Sequence, residues 1–151
     1  MICKILVLLL LCLPFIANAD NKVEEMSLEK QYRAIQDTVD EITKVLPVKL
    51  NDTITWQSMY FVKDHPVLGG IYFVYSTNIP YEDIDKDLTP SVMRKFKNRN
   101  THTTCANDTY KQFLFIANVP VRIVYQHSTG QLIGHLIIDK SDCLKAGYQY
   151  P

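Results

Sequence analysis

Glycine is scarce in this chain, with five residues in 151. A phosphate cradle built on a glycine-rich loop is hard to assemble from so few, and neither the dinucleotide fingerprint nor the P-loop pattern occurs. The G-x-S-x-G turn of the serine hydrolases is missing too. Net charge is also lacking: 16 basic side chains balance 16 acidic ones. That removes the cationic footprint needed for nucleic acid or an anionic membrane surface. The four histidines, His65, His102, His127 and His135, form no H-x-x-x-H or H-E-x-x-H run and no Cys/His spacing. No metal and no cofactor are therefore expected. Scattered carboxylates supply acid–base groups, but no pair of them is singled out by spacing.

Only one long apolar run is present, and it lies at the start. Lys4 precedes the run Ile5–Ile16, and Ala17-Asn18-Ala19 places small residues at −3 and −1 of a cleavage site. The run falls short of the ~20 residues that span a bilayer. Leu10 and Leu11 stand before Cys12 where a lipidation site wants small residues. Residues 1–19 thus read as a cleaved signal peptide, and residues 20–151 as a single domain that is periplasmic or secreted. No later segment is apolar enough to insert in a membrane after cleavage. Without Lys4, 15 basic residues face 16 acidic ones, a net charge of −1. Two of the four cysteines leave with the leader. In an oxidising compartment the remaining two, Cys105 and Cys143, are expected to pair as a disulfide.

Past a charged stretch, Asp20–Met26, the sequence predicts a helix capped by Ser27. Leu28, Tyr32, Ile35, Val39, Ile42 and Leu46 form one apolar stripe, and Pro47 closes it. Thr53–Val62 and Ile71–Thr77 read as a hairpin around a Pro/Gly loop. Tyr81–Asp87 is an acidic linker without the glycine and distal glutamate of a calcium loop. Thr89-Pro90 caps a second helix, which the polar stretch Asn98–Thr104 is expected to break or kink. A further segment runs from about Cys105 to Ala117, and Asn118 stands as its left-handed terminus. The last hairpin turns at His127-Ser128-Thr129-Gly130, with Val121, Ile123 and Tyr125 on one face and Leu132, Leu136 and Ile138 continuing it. Lys145–Pro151 reads as a loose tail. The expected fold class is α+β: helix–hairpin–helix–helix–hairpin, a four-stranded antiparallel sheet with helices packed on one face.

Trp56, Tyr60, Tyr72 and Tyr75 put four large aromatics on the first hairpin. Most such rings belong to a core or half-buried sheet. The same four are the candidate binding surface if they stand exposed, with an open sheet edge as the alternative contact. Two sequons, Asn51-Asp52-Thr53 and Asn107-Asp108-Thr109, are potential glycan acceptors.

The run V-R-I-V-Y-Q-H-S-T-G-Q-L-I-G-H-L-I-I-D-K-S-D-C, preceded by a Cys-led helix and a first hairpin after Val45-Leu46-Pro47, resembles small exported bacterial proteins. These are grouped as quorum-sensing-regulated virulence factors and neighbouring domains of unknown function. Cys105, Tyr125, Gly130 and Cys143 occupy the corresponding places, while Asn118 stands where glycine is expected. The resemblance implies a periplasmic or secreted protein without established enzymatic activity and supplies no catalytic residues. The expected function is a non-enzymatic binding or accessory protein of the bacterial envelope, linked to secretion or virulence, with a protein partner. The alternative is a small hydrolase whose site converges only in three dimensions, with His102, His127 and Asp139 the residues to inspect.

Overall fold

A computed structural model describes residues 27–63, 65–80, 82–84 and 89–150. The expected signal peptide, the charged stretch after it and most of the Tyr81–Asp87 linker lie outside these residues. The first helix, α1, runs Leu28–Thr43, and the Ser27 side chain accepts from the Lys30 N–H at its N-terminus. Its apolar stripe turns Ile35 and Val39 inward, each 2% exposed. Burying a side chain of that size stabilises by about 1.5–3 kcal/mol. Thr43 Oγ1 lies 2.7 Å from the Val39 carbonyl and 3.1 Å from that of Met59, so its proton ties the helix end to the neighbouring strand.

Among the described residues the sheet has five strands in sequential order: β1 (Val48–Lys49), β2 (Ile54–Val62), β3 (Gly70–Thr77), β4 (Val121–His127) and β5 (Leu132–Ile138). This corrects the expectation of four antiparallel strands. The two-residue β1 is too short to show any periodicity, yet it pairs with β2 through Val48–Trp56 and Lys49–Thr55. The central pair, β3 with β4, is parallel, with Ile71 beside Val121 and Thr77 beside His127. Parallel neighbours need a long crossover, and here the helical segment between residues 90 and 116 supplies it. Burial on both faces of β3 fits that central position.

The register sets one face against the helices. Ile71, Phe73 and Tyr75 neighbour Val121, Ile123 and Tyr125, and the row continues through Leu136 and Ile138. Ile35, Val39, Phe113 and Leu114 close the same core. Leu132, expected on this face, is 59% exposed. A register shift after Tyr125 pairs Gln126 with Leu132 and leaves Ile133 over. One inserted residue moves the side chain to the other face of the sheet.

The crossover begins with α2, Pro90–Ala106, capped by the Thr89 hydroxyl with Pro90 at its first position. The helix is continuous through Asn98–Thr104, where a break was expected. Polar residues survive there because they are bonded or buried. Asn100 Nδ2 donates to the Phe96 carbonyl, Thr103 Oγ1 to that of Arg99, and Thr101 and Thr104 are buried. The break falls instead at Asn107, which caps the short α3, Asp108–Lys111, by accepting from Thr109 and Tyr110 N–H. A π-helical turn, Gln112–Ile116, follows and stops at Asn118, whose φ is +51°. The Val119 N–H then bonds back to the Phe113 carbonyl at 2.9 Å, one residue beyond the usual six-to-one closure of a left-handed helix terminus, as suits the wider π turn that precedes it.

A short helix that the sequence did not suggest, α4 (Lys140–Lys145), ends where the expected loose tail, Lys145–Pro151, begins. Asp139 and Asp142 form a reciprocal capping box at its start. Cys143 on α4 is bonded to Cys105 on α2, with Cα atoms 5.5 Å apart. Tyr148 and Tyr150 lie on His102 and Phe115.

Candidate functional site

The four hairpin aromatics are not brought together on one surface. A period-two strand would put Trp56 and Tyr60 on one face, but the register shifts between Trp56 and Ser58. Trp56 and Tyr75 consequently lie on the helix side, where Trp56 stacks on Phe73 and Tyr75 at 5.8 and 6.2 Å. Burial, then the neighbouring Tyr110 and Tyr125, pushes the Tyr75 phenol far above its ordinary value, and burial alone pushes Tyr110 up to about 12. Tyr60 and Tyr72 lie on the opposite face, stacked at 4.6 Å. Of the four, Tyr60 is the exposed one, at 43%.

His102, His127 and Asp139 are likewise engaged separately. His102 Nδ1 lies 3.1 Å from Tyr148 Oη, and His127 Nδ1 lies 2.9 Å from Thr129 Oγ1. Asp139 caps α4. Val121 pairs with Ile138, so Asp139 stands beside the start of β4 and His127 at its end, roughly 20 Å apart at strand rise. A catalytic constellation of these three is not what the fold builds. No group of three or more His, Cys, Asp or Glu side chains among the described residues is placed to hold a metal. The sequon asparagines have structural roles: Asn51 Oδ1 accepts from Thr53 and Ile54 N–H in a turn, and Asn107 caps α3.

The feature that does gather polar groups and clefts is Arg122, which sequence reasoning passed over as one basic residue in a β-branched strand. Its side chain points to the face away from the helices, between Tyr72 of β3 and Ile137 of β5. It is 7% exposed. Arg122 Nε donates to the Gly69 carbonyl at 2.9 Å, and Nη2 donates to that of Val67. Tyr72 Oη donates to the carbonyl between them, that of Leu68, at 2.7 Å, and the Tyr72 ring underlies the guanidinium at 5.5 Å. Three consecutive carbonyls of the hairpin loop are thus fixed from below. His65 fixes the amides: its Nδ1 accepts from Leu68 and Val67 N–H at 2.8 and 3.3 Å. The sequence signal for this loop was the His-Pro-x-x-Gly-Gly punctuation.

Arg122 also forms a wall shared by two clefts. The first, about 370 Å³, lies between the loop and the start of α1, with Tyr32, Phe61, Val62 and Pro66 on its sides. The second, about 530 Å³, lies against α4, with Leu114, Ile137 and Leu144 as its apolar lining. Asn118, Val119 and Pro120, set by the helix terminus, belong to both. Ile137 and Leu144 are 40% and 51% exposed. His135, nearby on the same face, is held below the ordinary histidine range by partial burial and then by the charge of Arg122.

No protein-family model and no curated sequence matches the chain. Solved structures share its fold. A Pseudomonas aeruginosa protein described as secreted superposes with a TM-score of 0.58 at 15% identity, over 81% of this chain and 97% of its own. The pilotin of the Vibrio vulnificus type 2 secretion system gives 0.56 at 16% identity, over 77% and 94%. The Vibrio cholerae type II secretion pilotin gives 0.50 at 14% identity with the same coverage. At such identities the likeness is one of fold. It extends over nearly the whole of each of those proteins.

Proposed function

We propose that this chain is an exported, non-enzymatic accessory protein of the bacterial envelope that serves a secretion machine by binding one of its protein components. The observation that carries the reading is the twin cleft around Arg122: an apolar-sided, solvent-open groove of the kind that seats a protein segment. Three features support it. The fold is that of two proteins named as type II secretion pilotins. The first 19 residues read as an export signal, and the Cys105–Cys143 bond suits an oxidising compartment. No helix among the described residues is long and apolar enough to cross a membrane, so the domain is proposed to reach its site through a partner. The virulence link implied by the resemblance to quorum-sensing-regulated proteins remains a narrower form of the same proposal.

The test is site-specific photocrosslinking in the native host. A photoreactive residue at Val62 or Ile137, beside the clefts, is expected to capture one defined secretion component in the envelope fraction. The same residue at Lys30, on the exposed face of α1, is expected to capture none. Equal capture from all three positions, or none from the clefts with the protein retained in the cytoplasm, overturns the reading.

A further inference from the structure

We propose that the Arg122 guanidinium is a carboxylate-reading site, which takes an acidic side chain from an otherwise apolar segment of the protein partner lying across the two clefts. The proposal rests on the accessory-protein reading above and specifies the chemistry of the partner. Arg122 as a residue is 7% exposed, and burying a guanidinium is costly unless its donors are met and its charge is balanced. Two of its nitrogens are met by the Gly69 and Val67 carbonyls. Among the described residues Nη1 has no hydrogen-bond partner, and no carboxylate pairs with the group; the ion pairs formed are those of Lys44, Lys49, Lys63, Lys97 and Lys111. The loop clamp alone would be served by neutral donors. A fixed, planar, permanently charged fork suits a carboxylate better than any other peptide group.

The surroundings select the rest of the segment. Phe61, Val62 and Pro66 flank one side of the fork, and Leu114, Ile137 and Leu144 flank the other. The partner is therefore apolar on both sides of its acidic residue. The one carboxylate in the lining, Asp139, is already engaged, accepting from Ser141 Oγ at 2.7 Å and Asp142 N–H at 3.0 Å. The Lys140 ammonium is drawn to the Phe115 ring, 5.6 Å from its centroid. Arg122 is left as the cation that faces both clefts.

The test uses the mature, oxidised protein and a capped heptapeptide with one glutamate flanked by leucine and valine, followed by NMR. Amide shifts at Gly69, Gly70 and Ile137, with a shift of the Arg122 Nε–H, are expected on titration. The glutamine counterpart is expected to bind about 10- to 100-fold more weakly, the range for losing one charge-assisted contact. Arg122→Lys, which keeps the charge but not the planar fork, is expected to weaken that preference, and Arg122→Gln to abolish it. Should either variant fail to fold, the comparison of the two peptides on the wild-type protein still decides. Equal binding of both peptides, or shifts that map away from Arg122, overturns the proposal. So does saturation by inorganic phosphate at comparable concentration, since it would make the site a small-anion site. If crosslinks at the clefts persist while the glutamate preference is absent, the accessory reading stands and the carboxylate chemistry falls.

Discussion

Cys105 and Cys143 join the middle of the crossover to the last helix, and both are wholly buried. Among the described residues the bond is one of three side-chain ties between α2 and the C-terminal segment. The others are the Lys97–Asp142 ion pair at 3.3 Å and the His102–Tyr148 contact at 3.1 Å. The ion pair is partly exposed and contributes at most about 1 kcal/mol. The disulfide dominates. It closes a loop across a sequence separation of 38, which in the chain-entropy model stabilises by about 3–4 kcal/mol. Replacing both cysteines by alanine should lower the urea midpoint by that amount divided by the m-value. Amide exchange should rise first in residues 140–150. A midpoint unchanged by the replacement, or by reductant, would contradict this.

Gly70 and Gly130 both have positive φ, at +143° and +89°, but their surroundings differ. A Cβ on Gly130 meets nothing within 4 Å, while one on Gly70 would lie 2.7 Å from the Pro120 carbonyl oxygen and 3.1 Å from Arg122 Nε. Gly130→Ala should therefore cost about 1 kcal/mol, the backbone term alone. Gly70→Ala should cost clearly more and should disturb the Arg122 clamp. Denaturation of the two variants side by side checks the order, and equal losses would show that the close approach does not matter.

Asp139 offers a pH test. Burial raises its carboxyl, but the bonds from Ser141 and the Asp142 and Ser141 backbone, with the Lys145 charge, outweigh it and hold the group below its ordinary 3.8. The carboxylate form is thus favoured in the folded state. Its stabilisation is complete above the unfolded-state value and fades as pH falls through the lower, folded one. Asp139→Ala should lose about 1 kcal/mol at neutral pH, as for a typical N-cap, and the gap to wild type should narrow below pH ~4. A gap that stays constant down to pH 2 would refute the carboxylate's role.

Much of the fold was legible where local chemistry dictates local structure. Ser27, Thr89-Pro90, Asn118 and Gly130 each mark the boundary they were expected to mark, because caps and positive-φ positions depend on a few adjacent atoms. What was not legible depends on distant partners. The parallel β3–β4 pairing is decided by where the crossover delivers Val121, and no residue within either strand records that. The bulge at Gln57 redirects Trp56 with no glycine beside it, while the one at Ile133, which redirects Leu132, adjoins Gly134, a mid-strand glycine of the kind that marks a bulge. Asn98–Thr104 looked like a break because nothing adjacent in sequence shows that its polar residues bond the preceding helical turn or are buried. The candidate site was the least legible part. Arg122 acquires its meaning only when β3, β5, the 65–69 loop and the helix terminus meet around it.

The last prediction concerns the helix-side tyrosines. Tyr75 and Tyr110 have raised phenol values, chiefly through burial, with Tyr110 at about 12. The neutral phenol is favoured in the folded chain, so these groups contribute stability that is fully present below the unfolded-state value near 10 and lost as pH rises toward the folded one. Alkaline unfolding should set in between about pH 10 and 12, and absorbance at the phenolate band should show these two rings ionising together with the loss of structure. Tyr75→Phe keeps the ring that stacks on Trp56 and Tyr125 at 6.2 and 5.3 Å, while removing one proton that alkali must take. Its alkaline midpoint should therefore lie above that of the wild type, although its stability at pH 7 changes little. A midpoint that is unchanged or lower would mean that the Tyr75 phenol ionises freely in the folded protein, and the packing described for this face would have to be revised.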